Sequence, residues 1–266
     1  VFLDALVRAK PSSRLEEIMQ ADRRRVKATE DGAEAARLFE RYNLVSVPVV
    51  DEADRLVGVL TIDDIVDVIQ EQASEEILAL GGVNPEEELT DSFWWIARSR
   101  FSWLFVNMMT AFITSSVLKA FQSELEQMVA LAVLGPIVAG QGGNSATQTM
   151  TVAVRALATR ELTRSNALRI VLRELAIGAV NGAAFGLVTG IVAANWFQNV
   201  GLGPVMALAM FTNLVAGAFG GIVVPLLADK LEFDPAVASG PFVTTITDVV
   251  GYGAFLTIAT LWFHLR

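Results

Sequence analysis

The chain has no cysteine, and its single histidine, His264, is the third residue from the end. Without cysteine it can form neither a disulfide nor a thiolate metal site, and one histidine cannot supply a His-Glu-x-x-His zinc motif. These absences argue against an intramembrane metalloenzyme, so we expect no enzymatic activity. A metal site in this chain would have to use oxygen ligands, which suit Mg²⁺ or Ca²⁺.

Charge is scarce in the last two thirds of the chain. The first 100 residues hold 21 of the 29 acidic residues and 12 of the 20 basic ones, so they account for the whole net charge of −9. This asymmetry predicts an acidic soluble domain followed by an apolar membrane domain at residues 101–266. The chain starts at Val1 and shows no signal peptide, so we expect it to be a fragment of a longer protein.

The soluble part alternates helical and strand patterns. A helix is predicted over Glu30–Tyr42, strands over Leu44–Val50 and Leu56–Thr61, and a further helix from Asp63. This order, and the segment Gly58–Val59–Leu60–Thr61–Ile62–Asp63–Asp64, resemble a CBS domain and the end of its signature. The resemblance implies a partial α/β CBS domain at residues 21–69, preceded at residues 1–20 by the tail of a first CBS repeat.

An acidic segment at residues 70–100 joins the two parts as a predicted connecting helix and linker. No Lys or Arg occurs from Leu56 to Ala97, whereas ten acids lie between Asp63 and Asp91. Asp64, Asp67 and Glu71 share one helical face, with Glu75 and Glu76 near it. Either this is a solvated charged helix, or it is a sensor that binds divalent cations through carboxylates.

Five apolar segments follow. We therefore expect a multi-domain fold, in which a transmembrane bundle of five helices per subunit follows the partial α/β CBS domain and the acidic connecting helix. The segments run over Phe101–Leu118, Met128–Gly143, Ile170–Ala194, Pro204–Ala228 and Ala236–Phe263. The connection between the second and third segments is rich in arginine, whereas the one between the third and fourth has no charge. By the positive-inside rule, we expect a cytoplasmic N-terminus and an outside C-terminus.

Asp248 is the only charged residue near the middle of the last apolar segment. An ionised carboxylate at that depth costs about 2.5–3.5 kcal/mol on insertion scales, so it usually faces a polar path. Thr244, Thr245 and Thr247 add hydroxyl oxygens beside it. The alternative is a carboxyl that is paired or protonated inside the bundle for structural reasons.

Glycine is concentrated in three of the apolar segments. Residues 135–148 hold four glycines, one proline and several amides, which fits either a helix that breaks at membrane depth or a close helix crossing. Gly178, Gly182, Gly186 and Gly190 recur every four residues, and Gly217 and Gly221 repeat that spacing. We expect these two series to form tight helix contacts, in a bundle or a dimer.

Two motifs carry a resemblance to a known family. Residues 136–148, Pro-Ile-Val-Ala-Gly-Gln-Gly-Gly-Asn-Ser-Ala-Thr-Gln, and residues 245–251, Thr-Ile-Thr-Asp-Val-Val-Gly, resemble the signatures of MgtE magnesium channels. The resemblance implies a homodimer in the lipid bilayer, with a pore formed mainly by the second and fifth spans. It implies that Asp248 binds a largely hydrated Mg²⁺, and that Asn144, Gly140, Gly143 and Thr244 line the same path.

The same resemblance implies regulation by the acidic segment. The connecting helix is similar to the family's plug helix, which Mg²⁺ holds against the pore. The matching regulatory metal ligands are Asp31, Asp64, Asp67, Glu75 and Glu76. The family's CBS pair also binds ATP, for which Thr61 and Asp64 are the matching positions.

The resulting hypothesis is a Mg²⁺-selective channel of the plasma membrane, gated by cytoplasmic Mg²⁺. Two alternatives remain open at this point. One is a broader divalent pathway that also passes Co²⁺, Ni²⁺ or Mn²⁺, since all the candidate ligands are hard oxygens. The other is a membrane sensor with a CBS domain and no transport activity, which would leave Asp248 unexplained.

Overall fold

The computed structural model describes residues 7–18, 24–84, 86–163 and 165–265, and these fold as two compact units that divide between Ser74 and Glu75. The predicted tail of a first CBS repeat, at residues 1–20, is described only in part. The secondary-structure elements of the first unit, with the helix that leaves it, are α1 (Leu15–Ile18), β1 (Val26–Lys27), α2 (Gly32–Tyr42), β2 (Ser46–Val50), β3 (Leu56–Thr61) and α3 (Ile62–Leu80).

Helix α2 forms because its sequence supplies both caps and an apolar face. The Asp31 side chain accepts a hydrogen bond from the Ala33 amide at 3.1 Å, which satisfies one of the free N–H groups of the first turn. Asn43 ends the helix in the left-handed conformation, at φ 48°. Phe39, which belongs to α2, is buried in a cluster with residues of the sheet and of α3. The predicted helix over Glu30–Tyr42 is confirmed, two residues shorter at its start.

The sheet has the order β1-β2-β3, with β1 parallel to β2 and β2 antiparallel to β3. Strand β3 has the predicted bounds. Pro48 lies within the central strand, but β1 pairs only with Val49 and Val50. Pro48 therefore has a strand neighbour on one side alone, where a missing N–H is tolerated.

Helix α3 is continuous from Ile62 to Leu80, so it begins well before the predicted connecting segment at residue 70. It ends at Gly81 and Gly82, and Gly82 has a φ of +69°, which favours glycine. No helix lies between Gly81 and Asp91 in the described residues. The predicted helix does end at these glycines, but the last eight residues of the predicted segment, Phe93–Arg100, belong to the next helix and not to a loop.

The second unit is helical. Its helices after α3 are α4 (Phe93–Ala120), α5 (Gln122–Gln127), α6 (Val129–Ala158), α7 (Ala167–Trp196), α8 (Leu202–Lys230) and α9 (Pro235–Phe263). Among the described residues, four helical segments are long and apolar enough to cross a membrane, at Phe93–Ala120, Ala167–Trp196, Leu202–Lys230 and Gly240–Phe263. The second of the five predicted spans lies in α6, which is long enough but carries amides and hydroxyls along its length.

Helix α8 is the centre of this unit, and it packs against α6, α7 and α9. The four glycines predicted as a seam in α7 are all buried, and their faces meet the backbone of α8. A Cβ at Gly190, for example, would be 2.6 Å from the carbonyl oxygen of Gly203. Gly217 and Gly221 meet α6 in the same way, so both series form helix contacts within one chain.

The glycine-rich segment at residues 135–148 is one uninterrupted part of α6, with Pro136 inside the helix. The prediction of a helix break is therefore wrong, and the alternative of a close crossing is confirmed. A Cβ at Gly217 of α8 would be 2.6 Å from the carbonyl oxygen of Gly142. Gly142 meets the Asn213 side chain of α8 and Gly135 meets the Tyr252 side chain of α9, and these close contacts need no irregular backbone.

Candidate functional site

Asp248 lies near the middle of α9 and is half-buried. It has no ion-pair or hydrogen-bond partner in the part of the chain that the structure describes. The nearest basic residues along its own chain, Lys230 and Arg266, lie close to or beyond the two ends of the helix. The alternative of a carboxyl paired within the bundle therefore finds no support in the described contacts.

The threonines beside Asp248 turn their protons back onto their own helix. Thr244 Oγ1 donates to the Gly240 carbonyl at 3.0 Å, and Thr247 Oγ1 donates to the Thr244 carbonyl at 2.9 Å. A hydroxyl that donates to the helix backbone offers only its lone pairs to anything else nearby. Thr244, exposed one turn before Asp248, thus presents an acceptor oxygen suited to water molecules around a cation.

Helix α6 presents a matching polar stripe. Gly140, Asn144, Thr147 and Thr151 are exposed, at intervals of four, three and four residues, so they lie on one face. Thr147 Oγ1 donates to the Gly143 carbonyl at 3.0 Å, and Thr151 Oγ1 donates to the Thr147 carbonyl at 2.9 Å. This face, too, offers oxygen acceptors along its length.

Helices α6 and α9 pack antiparallel, because Gly135 faces Tyr252 whereas Gly143 faces Thr247. A Cβ at Gly143 would be 3.9 Å from Thr247 Oγ1, which places Gly143 against the residue before Asp248. Asn144 and Gly140 lie on the outward surface of α6. The structure thus brings predicted path residues onto two adjoining helices, with Gly143 at their contact.

Three residues of this region were missed by the sequence reasoning. Thr147 and Thr151 extend the Asn144 stripe, and their helical spacing from Asn144 was a signal that could have identified them. Asn213 is fully buried between α6 and α9, where its Nδ2 donates to the Val138 carbonyl at 2.8 Å. Asn213 could have been identified from the sequence because it is the one amide of the fourth apolar segment.

The predicted regulatory residues belong to α2 and α3. Asp31 caps α2, Asp67 is exposed on α3, and Glu75 is half-buried further along that helix. The side chain of Glu76 lies outside the described residues. No group of three or more acids or histidines with metal-binding geometry occurs in the described part of the chain.

Thr61 and Asp64, the positions matched to ATP binding, bond to each other. Asp64 Oδ2 accepts from the Thr61 hydroxyl at 2.7 Å and from its amide at 2.9 Å. These two bonds, the hydroxyl one foremost, hold the pKa of Asp64 below its usual value. The Asp64 side chain thus caps the Thr61 amide at the start of α3, which gives both residues a structural role.

The end of α3 packs within the second unit. Ala79 is buried in one cluster with Ala146 and Met150 of α6 and with Ala236 and Val243 of α9. Leu80 lies beside the same cluster. The acidic helix therefore ends against the two helices that carry the polar stripe and Asp248.

Comparison with protein families identifies two domains in this chain. A family model described as MgtE, divalent cation transporter, matches residues 135–258, and a CBS domain model matches residues 15–71. The first of these ranges contains Gly140, Gly143, Asn144, Thr244 and Asp248.

Three curated relatives are named magnesium transporter MgtE. The protein of Thermus thermophilus is 38% identical over 266 residues, which cover 96% of this chain and 57% of the relative. The protein of Enterococcus faecalis is 36% identical, over 88% of this chain and 51% of the relative. The protein of Bacillus subtilis is 33% identical, over 97% of this chain and 57% of the relative. The chain thus spans just over half the length of the curated relatives it matches. Residues 135–258 thus form a domain of the MgtE divalent cation transporter family, and residues 15–71, before it, form a CBS domain.

Proposed function

We propose that this chain transports Mg²⁺ across a membrane, along a path lined by the polar stripe of α6 and by Asp248 of α9. The observation that carries the proposal is Asp248 itself, a half-buried carboxylate without a described partner, midway along a membrane-spanning helix. The names of the relatives, all magnesium transporters, point to the ion.

The proposed site suits a hydrated ion. Mg²⁺ gives up its water reluctantly and prefers oxygen ligands in an octahedron. The hydroxyls of Thr147, Thr151 and Thr244 already donate to their helices, so they accept hydrogen bonds from water held by the ion. Asp248 supplies the negative charge, and contact through water keeps binding weak enough for release.

A second copy of the chain would complete the path. The stripe of α6 faces outward, and a polar face at membrane depth has to be covered by protein or water. We propose a homodimer in which two α6 and two α9 helices enclose the path and two Asp248 carboxylates share one ion. In this arrangement α6 is the fifth membrane helix of each subunit. The proposed location is the plasma membrane, with the CBS domain in the cytoplasm.

The proposed gate is α3. Its end packs against α6 and α9 at Ala79, while its exposed acids repel one another unless cations screen them. Bound Mg²⁺ would favour the packed arrangement, and its loss would favour separation, because a ligand shifts a population toward the state it binds better. ATP binding at Thr61 and Asp64 stays a prediction.

The test is Mg²⁺ flux into liposomes that contain the protein. We expect Asp248→Asn, which keeps the shape and removes the charge, to lower the flux at least about tenfold. The matched control is Asp229→Asn, since Asp229 is an exposed acid at the end of α8. Equal flux from the wild type and Asp248→Asn would remove Asp248 from the path.

The alternatives predict other results in the same assay. A broad divalent pathway would pass Co²⁺, Ni²⁺ or Mn²⁺ as fast as Mg²⁺, whereas the proposal predicts slower flux of each. A sensor without transport would give no flux with any of these ions.

The gate is tested with Mg²⁺ added on the side of the CBS domain. We expect added Mg²⁺ to inhibit the flux, and Asp67→Asn to raise the half-inhibiting concentration. Glu52→Gln, an exposed acid in the turn between β2 and β3, serves as the control. The same half-inhibiting concentration in Asp67→Asn and the control would refute a role of Asp67.

A further inference from the structure

Asn213 is the only amide side chain of α8, and it is 0% exposed. Its Nδ2 donates to the Val138 carbonyl of α6, whereas its Oδ1 has no hydrogen-bond partner among the described residues. A buried carbonyl oxygen without a partner is unfavourable, and a leucine of similar shape would avoid that cost. Stability alone therefore does not account for an amide at this position.

The Asn213 amide lies where three helices meet. A Cβ on Gly142 of α6 would overlap its Nδ2, and a Cβ on Gly251 of α9 would be 2.5 Å from the same atom. The Cβ on Gly251 would also be 3.2 Å from Ala139 Cα of α6. The side chain thus touches the backbone of both neighbouring helices, at positions where neither has a side chain of its own.

These contacts are close to the candidate ion path. Gly142 is two residues before Asn144, and Gly251 is three residues after Asp248. At a rise of about 1.5 Å per residue, these separations are about 3 Å and 4.5 Å along the helix axes. A change in how Asn213 packs would therefore move the turns that carry Asn144 and Asp248.

We propose that Asn213 is a positioning residue, whose amide fixes the separation of α6 and α9 at the level of Asn144 and Asp248. The inference rests on the proposed function, since it assigns Asn213 the task of fitting the path to a hydrated Mg²⁺. The residue does not touch the ion. It acts through the spacing of the two helices that line the path.

Three variants test this proposal. Asn213→Leu removes the hydrogen bond and keeps the number of side-chain heavy atoms, and Asn213→Ser removes most of the contact while staying polar. Thr212→Val is the matched control, because Thr212 is the neighbouring residue on α8 but is exposed. Flux into liposomes is measured over a range of Mg²⁺ concentrations, with and without hexaamminecobalt(III), which is similar in size to hexahydrated Mg²⁺.

We expect both Asn213 variants to raise the half-saturating Mg²⁺ concentration about tenfold, with a smaller change in maximal flux per folded protein. A displacement of 1 Å can lower an activity by about 100-fold, and contact through water should soften that effect. Block by hexaamminecobalt(III) should weaken in parallel. Thr212→Val should behave as the wild type does.

Helix separation is measured independently of flux. The chain has no cysteine, so cysteines introduced at Val152 of α6 and Phe242 of α9, both exposed, accept spin labels without background. We expect the distance between the labels to change by about 1–2 Å in the Asn213 variants and not in Thr212→Val.

An unchanged half-saturating concentration and label distance in a folded Asn213→Leu protein would overturn the proposal. Failure of both Asn213 variants to fold, while Thr212→Val folds, would also overturn it, because Asn213 would then be needed for folding. Absence of flux in the wild type would refute the proposed function instead, and the label distance would still decide whether Asn213 sets the helix spacing.

Discussion

Replacing Gly186 with alanine tests whether backbone contact sets the distance between α7 and α8. A Cβ at residue 186 would lie 2.7 Å from the carbonyl oxygen of Ala207, whereas ordinary contact begins at 3.4 Å. The obstacle is backbone, which cannot rotate aside as a side chain can. Helix α7 must therefore move outward by about 0.7 Å, the difference between these two distances.

The cost of that movement follows from dispersion energy, which is the main attraction between helices in lipid. The full attraction between two facing atoms is about 0.1–0.2 kcal/mol per pair. A gap of about 0.5–1 Å removes a quarter to a half of it. For about 40 facing pairs, the loss is about 1–4 kcal/mol. Alanine has a better helix propensity than glycine, which stabilises the helix by about 1 kcal/mol and leaves a net destabilisation of about 0–3 kcal/mol.

Gly240→Ala is the matched control, since nothing lies within 4 Å of a Cβ at residue 240. It gains the same propensity without the contact, so the difference between the two variants isolates the contact cost of about 1–4 kcal/mol. The assay is thermal unfolding of the protein in detergent, where 1 kcal/mol corresponds to about 2–4 °C for a chain of this size. Equal unfolding temperatures for Gly186→Ala and Gly240→Ala would refute the reasoning.

Two further predictions concern the first unit, and both are read from hydrogen exchange over residues 24–74. Asp31→Ala should destabilise this unit by about 1 kcal/mol, because it removes the cap of α2, whereas Asp31→Asn keeps the cap and should cost little. Loss of Mg²⁺ inhibition in Asp31→Asn would then reflect charge alone, and unchanged inhibition would refute a regulatory role for Asp31. The lowered pKa of Asp64 means that its stabilising contribution is full above about pH 4 and is lost as the pH falls through the folded pKa. The stability difference between the wild type and Asp64→Asn should therefore shrink from pH 5 to pH 3, and a constant difference would contradict this assignment.

Helix α2 and strand β3 of the first unit were predictable because their signals are local. Asp31 and Asn43 cap α2 from within the sequence, and Leu56–Thr61 is a short apolar run of strand length that follows a polar turn. The continuity of α6 was not predictable in the same way. Glycine and Pro136 in one segment indicate a break by propensity, but the contacts of Gly142 with α8 compensate for that weakness, and such contacts are absent from a single sequence.

The candidate site, too, could be predicted from sequence only in part. Asp248 could be identified from sequence because a charge amid apolar residues is conspicuous at any depth. Asn213 could not be separated from an ordinary polar residue, since its importance depends on the two glycines that face it from other helices. Of the stripe of Asn144, Thr147 and Thr151, only Asn144 was predicted, because with a helix break left open the sequence does not establish that the three residues share one helical face.

Helix α6 explains why four apolar spans are identified where five were expected. One of its faces is buried against α8 and α9 through Gly142, Ala146 and Met150, and the opposite face carries amides and hydroxyls. Small residues on the packed face contribute little to hydropathy, and polar residues on the other face reduce it further. The two properties that lower its apolar character, close packing and a polar face, are those that the proposed path requires of a helix that lines it. By this reasoning, a shortfall in hydropathy in one helix of a tightly packed bundle indicates where a polar path runs.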